Sequence, residues 1–115
     1  MRAMSDQTEA VAREIERLRR RHHYLLAETH ESLEAPCRWE LVGHALLWRV
    51  FLDDVLEPDL DVEILAEVIV VRGTLDLGER PARHALLPIP APFASQQPTL
   101  RFLSGVLEIR IEMQS

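Results

Sequence analysis

The stretch Leu60–Leu75, L-D-V-E-I-L-A-E-V-I-V-V-R-G-T-L, decides the fold. Its first half alternates. Leu60, Val62 and Ile64 fall on one face and Asp61 and Glu63 on the other, the period of two that a strand with one wet face requires. Its second half, from Val68, is a β-branched run that reads as another strand. Working outward, Arg38–Val42 and Ala45–Asp53 read as strands before it, and His84–Ile89 as one after it, closed by Pro88, Pro90 and Pro92. Leu100–Leu103 and Val106–Glu112 flank Ser104-Gly105, a hairpin signal. Six or so short strands, punctuated by Pro and Gly with no helix between them, predict an all-β sandwich.

The chain changes character at Pro36. Before it there is no Gly or Pro, and acids and arginines separate spaced apolar residues. Val11, Ile15, Leu18, His22, Leu25 and Thr29 recur at steps of four and three, the spacing of a coiled-coil seam, with Leu26 and Leu33 widening the stripe. This predicts one long helix, capped by Ser5 or Asp6 and stopped by Pro36, which disfavours helical geometry at Ala35. The division expected is a helical arm over 1–36 and a sandwich over 37–115. The seam residues Val11, Ile15, Leu18, Leu25 and Leu33 need cover. A second copy of the helix is the expected source, giving a homodimer or small homo-oligomer, with a helix folded back on the sandwich as the competitor. Trp39, Trp48, Val50, Leu52, Val70 and Leu107 are expected in the core.

The chain has 115 residues, enough for one domain with a real core. Nineteen acids outnumber thirteen arginines, and the net charge is −6, which argues against nucleic acid and anionic membranes as partners. There is no lysine, so Schiff-base lysine chemistry and a Walker lysine are excluded. Cys37 is the single cysteine, so no intrachain disulfide forms. No apolar run suits a membrane span and the start does not read as a signal peptide, so a cytoplasmic protein is expected.

Candidate chemistry is sparse. His22, His23, His30, His44 and His84 lack metal-ligand spacing, and surface histidines are the better reading. Asp53-Asp54 and the group Asp59, Asp61 and Glu63 lack the central glycine of a calcium loop. Gly73 and Gly78 read as turn glycines. Arg17, Arg19, Arg20 and Arg21 with His22-His23 form the one basic run. A solvated helix face explains it better than RNA or an acidic partner. No catalytic residue, metal or cofactor is expected.

Three segments, taken in order, resemble the α-crystallin domain of the small heat-shock proteins. They are Val50–Ile64 with its acidic turn, Val68–Gly73 ending in Arg-Gly, and Ser104–Ile111 with Gly-Val-Leu and alternating aliphatics; Leu86–Pro90 adds a Leu-Pro segment. The family's hallmark alanine is Leu100 here and its usual Asn is Ser104. Only Thr74–His84 occupy the place of the family's long loop with a swapped strand, and Ile109-Arg110-Ile111 sits in the last strand, not in a docking tail. The resemblance implies an immunoglobulin-like sandwich and an ATP-independent holdase of the stress response that binds partly unfolded proteins. It also implies a client groove walled by Val62, Ile64, Leu100 and Phe102. The short Thr74–His84 connection favours the alternative, a co-chaperone or adaptor like the CS domains, which bind one defined partner.

Overall fold

A computed structural model of the chain describes residues 2–29, 32–53, 55–56, 59–74, 81–93 and 97–113. Helix α1 (Arg2–His22) runs into a 3-10 helix (His23–Thr29). Eight strands follow: β1 (Leu33–Glu34), β2 (Cys37–Val42), β3 (Ala45–Phe51), β4 (Leu60–Ile64), β5 (Val68–Thr74), β6 (Pro81–Pro88), β7 (Thr99–Leu103) and β8 (Val106–Glu112). They form two sheets, ordered β1-β6-β5-β4 and β2-β3-β8-β7. All neighbours are antiparallel except the short parallel pair β1–β6.

The inner faces meet as alternation demands. Leu46, Trp48 and Val50 of β3, with Leu107, Ile109 and Ile111 of β8, pack on Ile69, Val71, Ala85 and Leu87 of β5 and β6. The Trp48 indole N–H donates to the Pro88 carbonyl at 3.1 Å, so the largest core side chain buries no unpaired donor. Val68, Val70 and Leu86 point the other way and are buried under Leu25, Leu26 and Leu65. Strand β5 is therefore covered on both faces, which explains its unbroken V-I-V-V run.

Two expectations about the helix are corrected. It begins at Arg2, ahead of Ser5 and Asp6, and it ends at His22, well before Pro36. The His22 ring bonds the Glu67 carboxylate at 2.9 Å, pinning the last turn to the β4–β5 connection. Beyond that point the chain must swing so that Leu25 and Leu26 reach the outer face of β5 and β6. It then enters the sandwich at Leu33, where β1 lies beside β6 and the Ala35 N–H donates to the His84 carbonyl. A straight helix to Ala35 would forgo both contacts.

The stripe of α1 is covered within the chain. Val11 and Ile15 join the core with Ala35, Ile89 and Phe93, and Leu18 is 1% exposed. Strand β1 pairs with only two residues of β6, and α1 packs along that strand as well. The edge that would otherwise invite strand addition is thus protected.

Trp48, Val50, Leu52, Val70 and Leu107 are buried as expected, but Trp39 is only half-buried. It lies on the edge strand β2 and lines a cavity that opens beside Gln7 and Thr8 of α1. Gly73 is no turn glycine. It lies inside β5, where the Val55 side chain covers it so closely that an added β-carbon would sit 2.9 Å from a Val55 methyl. Gly78 lies outside the described residues.

Candidate functional site

Strands β4 and β7 end their sheets on the same side of the sandwich. Pro36 joins β1 directly to β2 at the opposite side, and the Trp48–Pro88 bond sets β3 over β6. In this stacking β8 lies over β5 and β7 over β4. Among the described residues each of the two edge strands has one side with no neighbouring strand in its sheet, where an added strand could pair.

Register places the side chains expected to wall a groove. Leu60, Val62 and Ile64 stand opposite Gly73, Val71 and Ile69 of β5, and therefore share the inward face. Leu100 and Phe102 stand opposite Ile109 and Leu107 of β8, inward from the other sheet. Leu60, Val62 and Phe102 are half-buried and pack against the core. Ile64 and Leu100 remain 47% and 39% exposed. The same alternation thus makes one part of each strand core and the next part open apolar wall. Leu60 belongs to this wall although sequence reasoning did not name it for the site; its place on the Val62–Ile64 face was the signal. Asp61 and Glu63 project from the opposite face of β4 and share Arg72, at 3.7 and 3.3 Å.

The five residues assigned to helix self-association do not form one surface. Val11, Ile15 and Leu18 are buried in their own chain, Leu25 sits in the 3-10 segment over β5 and β6, and Leu33 lies in β1, 63% exposed. The early end of α1 at His22 separates them.

The titratable groups are structural in their contacts. His84, hydrogen-bonded to Ser32, is held below the ordinary imidazole value, chiefly by burial. Burial pushes the Cys37 thiol up, against the pull of Arg19, which keeps it protonated and a poor nucleophile. The half-buried Glu67 carboxyl is lowered mainly by its bond from His22. Among the described residues no three His, Cys, Asp or Glu side chains come together as a metal site would need. Asp53 lies beneath Gly105 and the Asp59 carbonyl accepts from Thr74 Oγ1, while Asp54 and His30 lie outside the described residues. Phe93, 1% exposed, anchors the proline-rich connection in the core. No described helix is long and apolar enough to cross a membrane.

Solved structures share this arrangement of strands. HSP18.5 from E. histolytica superposes with a TM-score of 0.64 at 14% identity, over 73% of this chain and 91% of that one. Heat shock protein 16.0 from Schizosaccharomyces pombe gives 0.62 at 13% identity, over 75% and 71%. A small heat-shock protein from Xylella fastidiosa gives 0.58 at 14%, over 70% and 86%. No protein-family model matches the sequence, and no curated protein matches it. Two sheets ordered in this way, a helix ahead of them and these superpositions together show that the chain carries the α-crystallin-type β-sandwich fold of the small heat-shock proteins.

Proposed function

We propose that this protein is an ATP-independent holdase of the cytoplasm. It binds partly unfolded proteins and keeps their exposed apolar segments from aggregating. The observation that carries this reading is the open wall between β4 and β7, where Ile64 and Leu100 stay exposed beside two strand edges. An extended client segment can add its backbone to an edge and lay alternate side chains on Val62, Ile64, Leu100 and Phe102. Such binding needs no nucleotide and no catalytic group. The fold shared with the heat-shock proteins supports the same reading, and we place the working form as a small homo-oligomer.

One observation favours a second reading, an adaptor that docks on a single partner. Strand β5 ends at Thr74 and β6 begins at Pro81, so six residues join them. Six residues are too few for a strand that crosses to another subunit, together with its turns.

Suppression of heat-induced aggregation decides between them. At equimolar ratio the protein should suppress aggregation of several unrelated heated proteins, and the pair Ile64→Asp and Leu100→Asp should lose most of that effect while keeping the parent's melting temperature. Silence toward all of them, with one tight partner in a pull-down, would establish the adaptor.

A further inference from the structure

Charge is segregated along this chain. Residues 50–71 hold seven acids and no basic residue. That run is more negative than the −6 of the entire chain, so everything else is close to neutral. Helix α1 gathers the opposite sign, although Arg17 is already paired with Glu14 at 2.5 Å within the helix. Arg13, Arg17, Arg20 and Arg21 recur at steps of three and four, which stacks them on one helix face, and all four are exposed. Val11, Ile15 and Leu18 occupy the opposite face and are buried. With Ala12 and Glu16 the arginines ring a shallow depression of about 730 Å³.

The two surfaces lie toward opposite edges of one sheet, since α1 packs along β6 and the acidic strand β4 ends the order β1-β6-β5-β4. Within one chain they meet at Glu67, which takes His22 at 2.9 Å and Arg21 at 4.0 Å. Among the described residues the acids of β4 share Arg72, and their side chains remain 72% exposed at Asp61 and 52% at Glu63. Each chain thus carries a basic helix face and an acidic strand edge that it cannot bring fully together.

We propose that a second copy of this chain supplies the match: the arginine face of α1 on one copy docks on the acidic edge strand β4 of the next. Every copy offers both surfaces, so donor and acceptor are present in equal amounts. A polyanion such as RNA would meet the same arginines, but it would also be repelled by the net charge of the chain and by the acidic run. The proposal does not rest on the holdase reading: it is carried by Asp61 and Glu63 on the outer face of β4, whereas a client would take the inward wall and the strand edge.

Exposed ion pairs are individually weak and are screened beyond about 8 Å at physiological salt, so the contact should strengthen steeply at low ionic strength. Sedimentation of the full chain tests this. Its weight-average mass should exceed the 13.2 kDa monomer at about 20 mM salt and fall to it at about 500 mM, with an apparent Kd at least tenfold weaker. Two charge-reversed proteins, Arg13→Glu with Arg20→Glu and Asp61→Arg with Glu63→Arg, should each be monomeric at low salt, with far-UV circular dichroism confirming their fold. An equimolar mixture of the two should recover mass, because each offers what the other lacks. A parent mass that ignores salt, or a mixture that stays monomeric, would overturn the proposal. So would a labelled RNA oligonucleotide that binds the Arg13/Arg20 face of a protein that remains monomeric.

Discussion

Ser104 and Gly105 close the β7–β8 hairpin with φ of 52° and 78°. Two successive positive φ values give a primed turn, whose twist matches that of the strands it joins. A side chain at Gly105 meets two penalties. The left-handed backbone costs about 1–2 kcal/mol, and the new β-carbon would lie 2.9 Å from the Asp53 α-carbon, a backbone atom that cannot swing aside. Gly43 has a φ of 60° but nothing within 4 Å of its absent β-carbon, so it meets only the first. Gly105→Ala should therefore cost about 3 kcal/mol and Gly43→Ala about 1 kcal/mol in urea unfolding; equal losses would show that the Asp53 contact yields. His84 gives a second prediction at this scale. Burial holds its pKa below the ordinary value, aided by His23 and opposed by Glu34. As pH falls below about 6.5 the unfolded chain takes up this proton before the folded one does, so stability drops through that window. Between pH 7.5 and 5.5 the parent should lose more stability than His84→Gln in the same titration. A parallel decline in both proteins would remove His84 from the account.

At the scale of elements, α1 is where sequence and structure part. Leu18 is 1% exposed and its cover comes from its own chain, so Leu18→Ala should cost about 2–5 kcal/mol, with a urea midpoint that does not move with protein concentration at about 500 mM salt, where charge-driven association is screened. Leu33→Ala, at a 63% exposed site in β1, should stay within about 0.5 kcal/mol of the parent. A midpoint that rises with concentration at that salt would return the stripe to a helix–helix seam. The strands were legible because alternation and composition act locally. Val106–Glu112 has the boundaries its pattern predicts, and the alternation of Leu60–Ile64 puts Leu60, Val62 and Ile64 on the inward face of β4, as read. The end of α1 was not legible, because steps of four and three serve a helix on a sheet as well as a helix on a helix. What ends it is the bond from His22 to Glu67, forty-five residues away, and the pull of Leu25 and Leu26 toward β5. Strand β1 has only two residues, too few to show a period, and its parallel pairing rests on the Ala35–His84 bond. Gly73 misled because a strand glycine covered by Val55 looks like a turn glycine in one dimension.

The whole molecule is lopsided. One side of the sandwich is covered by α1 and the 3-10 segment, and the other is left open between β4 and β7. This asymmetry is what lets a small chain hold a stable core and still present apolar wall. The covered side should then be indispensable. Val11, Ile15 and Leu18 are each at most 7% exposed, and Leu25 and Leu26 shield Val68, Val70 and Leu86 on the outer face. Burying one such side chain is worth about 1.5–3 kcal/mol, so losing the three helix residues alone removes about 4.5–9 kcal/mol. A domain of this size has only about 5–15 kcal/mol in total. Deleting residues 2–29 should therefore leave a chain that does not fold as a monomer, read as large particles in light scattering and strong binding of an apolar dye. The Ile64→Asp and Leu100→Asp pair on the open side should scatter as the parent does and bind less dye, because there the apolar surface is already in water. A truncated chain that stays monomeric, takes up no dye and melts near the full-length protein would mean that the sandwich closes without its helix, and the division into a covered and an open side would lose its physical basis.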